Sequence, residues 1–123
     1  MKFMCFAYES EETLNALTPS EWKALRSETI DYVATLRARG HLVETHALQS
    51  RRTAATVRVR GGSTLVTDGP FAEAKELVGG YFIVDAKDRA EAVALAAGWP
   101  SARIGAIEVR PIEEILPSAK RYA

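Results

Sequence analysis

The sequence predicts an α+β fold, a ferredoxin-like sandwich with an inserted β-hairpin. Three observations lead there. Strand-like and helix-like stretches follow one another as strand, helix, strands, strand, helix, strand, the cadence of a split βαβ arrangement. Two runs, "MKFMCFAY" and "YFIVDA", carry apolar residues on both parities, as strands covered on both faces do. Two further segments open with capping signatures, Thr18-Pro19-Ser20-Glu21 and Asp88-Arg89-Ala90-Glu91.

Taken in order, "MKFMCFAY" sets Phe3, Cys5 and Ala7 on one side of a strand and Met4, Phe6 and Tyr8 on the other. The polar "ESEETLNAL" reads as a loop or short turn. A helix then starts after Thr18, with Pro19 at its first position and Glu21 completing the box. Its apolar positions Trp22, Leu25, Tyr32, Val33 and Leu36 fall on one stripe, and Gly40 is placed to end it with a left-handed residue. "HLVETHAL" and "TAATVRVR" read as two strands joined by "QSRR". The second alternates, Val57 and Val59 against Arg58 and Arg60, and "GGS" turns it into "TLVTD", so that residues 54–68 form a hairpin.

"AEAKEL" is expected to make one or two helical turns after Pro70. Gly79 and Gly80 free the backbone before the strand "YFIVDA". Asp88 caps an Ala-rich helix through Ala97 that Gly98 closes and Pro100 cannot continue, and "GAIEVRPI" supplies the last strand.

The 123 residues suit a single domain, and 16 basic against 16 acidic side chains leave no charge signature for direct nucleic-acid binding. One cysteine, Cys5, cannot form an internal disulfide, and no Cys/His set has zinc-like spacing. The apolar run after Lys2 is too brief for a signal segment or a membrane span. The expectation is a cytoplasmic protein without membrane contact, with no metal or organic cofactor implied.

Two helices cover one face of such a sheet. The second face, apolar on the first strand and the Tyr81 strand, needs a cover, and at roughly 25 cal/mol per Å² leaving it wet is costly. That predicts a homodimer packed sheet against sheet. The competing cover is the chain's own tail, "EEILPSAKRYA".

The stretch "TLVTDGPFAEAKELVGGYFIVDA", with "MKFMCFAY", "TVRVRGG" and "GAIEVRPI", resembles the DGPF-type proteins of the YCII-related family from Met1 to about Ile112. The resemblance implies a dimeric α/β-barrel of ferredoxin-like subunits. It also implies a range of roles. Many such proteins have no known activity, some resemble modules fused to or encoded beside sigma factors of the extracytoplasmic-function class, and other relatives include a dehydrochlorinase. Enzymatic relatives are thought to pair an Asp with a His on the first helix, whereas here Pro19 to Arg39 holds no histidine.

The candidate residues follow from that motif. Asp68 ends a strand, where its carboxylate can enter a cleft as a general base or accept N–H groups of the following turn. Gly69 allows close approach, Pro70 fixes the exit and Phe71 either walls a pocket or anchors the core. His46, within the second strand, is the substitute partner for Asp68; its plain reading is a half-buried strand histidine with one backbone hydrogen bond. His41 reads as solvated or as a charge at a helix C-terminus.

Arg58 could hold an anion bidentately, or lie with Arg60 on a solvated face or against Glu108. Trp22 and Trp99 read as packing residues, and Cys5 as an inert buried thiol. Three roles stay open: a homodimer with a small-organic-ligand cleft near Asp68 to Phe71; a cofactor-free lyase or dehydrohalogenase using Asp68 and His46; and an accessory module acting on a sigma factor or similar regulator.

Overall fold

The computed structural model describes residues 1–122. Its strands are β1 (Lys2–Glu9), β2 (Leu42–Ala47), β3 (Ala55–Arg60), β4 (Ser63–Asp68), β5 (Leu77–Asp85) and β6 (Ala106–Pro111); its helices are α1 (Glu11–Asn15), α2 (Pro19–Ala38) and α3 (Arg89–Ala97). β2, β5, β1 and β6 form one antiparallel sheet in that order, and β3 with β4 forms a separate two-stranded ribbon. This is the expected α+β, ferredoxin-like arrangement with its inserted hairpin.

The start of α2 is built as its sequence predicts. Thr18 Oγ1 accepts from Glu21 N at 3.2 Å while Glu21 Oε1 accepts from Thr18 N at 2.9 Å, and Gly40 follows with φ 77°. Asp88 caps α3 through Glu91 N, but the reciprocal bond runs from Lys87 N to Glu91 Oε1. Gly61 and Gly62, both at positive φ, make the two-residue turn between β3 and β4.

Three local expectations are corrected. Residues 11–15 form a short helix, because Ser10 supplies an N-cap by accepting from Thr13 N. The segment after Pro70 makes no helical turns and runs irregularly to β5. Gly79 and Gly80 lie inside β5 rather than before it. A Cβ on Gly80 would meet the carbonyl oxygen of His46 at 3.0 Å, so the neighbouring strand requires its small size.

The core lies between the sheet and the helices. Phe3, Cys5, Phe82 and Val84 face Leu36 of α2 and Ala92, Leu95 and Ala96 of α3. Trp99, just past α3, stacks on Phe82 at 3.9 Å between centroids and meets Tyr32 edge-on, and the Tyr32 hydroxyl donates to the Leu95 carbonyl. Each large side chain buried this way contributes about 1.5–3 kcal/mol. Burial also pushes the Cys5 thiol up to about 12, so it is an inert packing group.

The opposite face of the sheet is uncovered in the single chain. Met4, Phe6 and Tyr8 of β1 and Tyr81 and Ile83 of β5 lie there, half-buried. The tail does not cover them, with Ile115 85%, Leu116 65% and Tyr122 80% exposed. No helix among the described residues is long and apolar enough to cross a membrane.

Candidate functional site

A cleft of about 560 Å³ opens between the first half of α2 and the sheet. Its size lies within the range of small-molecule sites. Its cause is a mismatch of side-chain volume. The sheet facing it ends in Ala7, Ala47, Gly79 and Gly80, which are too small to fill the space beneath Trp22, Leu25, Ile30 and Val33. Tyr32, Val33 and Leu36 pack against the core, whereas Trp22 is 48% exposed at the cleft, so it is a wall rather than the packing residue its stripe predicted. Trp99 serves both core and cleft.

Glu9 is a half-buried polar group of this lining. It continues the parity of Phe3, Cys5 and Ala7 toward the helices. The ladder slips beside it: Ala7 pairs with Gly80 and Tyr8 with Val78, which leaves Gly79 as the extra residue of a β-bulge. Bulges of this kind re-aim side chains. The Glu9 carboxylate lies against Gly79, where a Cβ would collide with it.

Burial first, and then the charge of Glu11, raise the Glu9 carboxyl above the ordinary carboxylate range. Glu11 is shifted the other way, because it accepts from Ser50 Oγ and Arg51 N, each at 2.7 Å. Two carboxylates on one rim thus differ in proton affinity, an arrangement that separates acid from base roles.

The residues singled out by motif are placed elsewhere. Asp68, at the end of β4, is exposed and pairs through the backbone with Ala55. Gly69, at φ 100°, donates its N–H to the Ala54 carbonyl at 2.7 Å and accepts from Thr56 Oγ1 at 2.9 Å. Pro70 follows, half-buried. Phe71 is 77% exposed, with the Arg58 guanidinium 5.2 Å from its ring centre. None of Asp68, Gly69, Pro70, Phe71 and Arg58 lines the cleft.

His46 is exposed rather than half-buried, and unlike those five residues it does line the cleft. Its Nε2 lies 3.4 Å from Glu44 Oε2, and Glu44 also accepts from the Tyr81 hydroxyl at 2.9 Å, which raises the Tyr81 phenol. Among the described residues, no hydrogen bond or ion pair joins His46 to Asp68. His41 is not merely solvated, since its Nδ1 bonds the Asp85 carbonyl at 2.9 Å. Glu108 pairs with Arg110, and not with Arg58 or Arg60. No cluster of three or more His, Cys, Asp or Glu side chains suited to a metal occurs among the described residues.

The YCII-related domain model matches residues 1–116. The chain belongs to the YCII-related family. An uncharacterized protein of Rhizobium meliloti (strain 1021) is 30% identical over 114 residues, covering 91% of this chain and 92% of that protein. For this YCII-related chain, sequence reasoning missed Glu9, Glu11 and the opening beside them. The signal was present in β1: counting by twos from Phe3 through Cys5 and Ala7 arrives at a carboxylate on the buried face.

Proposed function

We propose that this protein is a homodimer that binds a small organic molecule in the cleft between α2 and the sheet of each protomer. The cleft itself carries the reading: about 560 Å³, with Trp22, Leu25, Val33 and Trp99 in its apolar walls and charged groups, Glu9, Glu11, Arg26, Arg51 and Lys75, also in its lining. The site of binding is thereby moved from the neighbourhood of Asp68 and Phe71 to that of Glu9. In this reading Asp68, Gly69, Pro70 and Phe71, which carry the DGPF-type resemblance, shape the exit of the hairpin.

The dimer is supported by the bare sheet face, with Phe6, Tyr81 and Ile83 awaiting cover. The hairpin supports it as well. Val57 pairs across from Val66, both on one exposed face with Val59, a surface suited to lying on a second copy. In the accessory-module reading, a sigma factor or similar regulator would occupy that surface instead. The single free, buried Cys5 suits a reducing compartment, and we place the protein in the cytoplasm.

The test is a thermal-shift screen with small acids, phenols and amines on the wild type and on Thr29→Phe, which fills the cleft from α2. A compound that raises the melting temperature of the wild type alone supports the reading. Equal shifts in both proteins contradict it.

A further inference from the structure

We propose that Glu9 is the anchor of the cleft and that the ligand it selects carries an ammonium group on a small apolar body. This rests on the cleft reading above. The first ground is construction. The bulge at Gly79 and the missing side chain there make room for this carboxylate over the sheet, so its position is set by two adjoining strands rather than by a mobile loop.

The second ground is an unmet need. An ionised carboxylate accepts several hydrogen bonds and donates none. Glu11, Glu21, Glu44 and Glu91 each accept at least one within the chain. Glu9, half-buried, has no such partner among the described residues. Its oxygens still reach water, so a ligand that closes the cleft over them has to bring a donor of its own or leave them unpaired at a cost.

The third ground is charge and surface. Glu11 stands near enough to raise the proton affinity of Glu9, but its own charge is offset by Arg51 and Arg52 beside it, which leaves Glu9 as the carboxylate free to take a cationic donor. Trp22, exposed in the wall, can face an ammonium with its ring, whereas Trp99 is stacked on Phe82 and adds apolar surface. Other charged groups also line the cleft: Arg26 from α2, Arg51 after β2 and Lys75 before β5. All three are exposed, and none forms an ion pair with Glu9 among the described residues. His46 on β2 lines the cleft too, with its ring beside Glu44 and Tyr81. Ammonium binding should therefore strengthen as pH rises and Glu9 ionises.

Calorimetric titration with phenethylamine and with 2-phenylethanol, which share one body, tests this on the full chain. At neutral pH the wild type should bind the amine at least about tenfold more tightly than the alcohol, the size expected of one charge-assisted hydrogen bond. Glu9→Gln should abolish that preference by weakening the amine far more than the alcohol. Equal binding of amine and alcohol by the wild type, or a preference that survives Glu9→Gln, overturns the inference and leaves the cleft reading standing. Failure of both probes to bind the wild type at millimolar concentration also overturns this inference, and the cleft reading is then decided by the thermal-shift screen with Thr29→Phe.

Discussion

The carboxylate of Glu9 fills the space in which a side chain on Gly79 would stand. The contact is with the far end of a flexible side chain, so Gly79→Ala should push the carboxylate aside rather than break the sheet. We expect a stability loss of about 1 kcal/mol, at the low end for overpacking. NMR titration of the Glu9 carboxyl should show its raised pKa moving back toward 4.5 as the side chain swings into water. An unchanged titration would mean that Gly79 does not set the carboxylate's position.

The same group gives stability a pH dependence. Because the folded carboxyl binds its proton more tightly than the unfolded one, the folded state holds more protons between the two pKa values. Stability therefore falls as pH rises through 4.5 toward the folded value. Glu9→Gln removes that loss. Its melting temperature should exceed that of the wild type at neutral pH, and the difference should vanish below pH 4.5. Thermal melts across that range check both the sign and the window.

Asp68→Asn should do little. The side chain is exposed and holds no hydrogen bond among the described residues, whereas the turn is fixed by backbone groups of Gly69. A change within about 0.5 kcal/mol is expected of such a surface site. Chemical denaturation with a loss of more than about 2 kcal/mol would show that the carboxylate itself holds the hairpin exit.

The fold was legible because its signals are local or periodic. Thr18, Pro19 and Glu21 announce a helix within four residues, and the two-parity runs around Cys5 and Phe82 announce central strands. The short helix at Glu11 was hidden because Ser10 caps a segment too brief to show a period. The segment after Pro70 looked helical in composition, but composition carries no contacts. The site was less legible for a different reason. A motif draws the eye to Asp68, while the cleft arises from small residues on separate strands, Ala7, Ala47 and Gly80, which only folding brings under Trp22. Glu9 belongs to that set through a bulge, and a bulge depends on pairing between strands distant in sequence.

Ile83→Lys probes the dimer. Ile83 lies on the uncovered sheet face opposite Met4, with Tyr81 on the same side of its strand. A charge buried there without a partner should weaken association by about 100-fold or more. Sedimentation at micromolar protein should find a dimer for the wild type and a monomer for the variant. A monomeric wild type would end the dimer reading.

The most direct test is amide and indole chemical-shift mapping by NMR as phenethylamine is added to the labelled protein. We expect the shifts to gather on Glu9, Gly79, Val33 and the indole N–H groups of Trp22 and Trp99, with the hairpin unmoved. Shifts centred instead on Arg58, Asp68, Gly69 and Phe71 would contradict the placement of the site in the cleft.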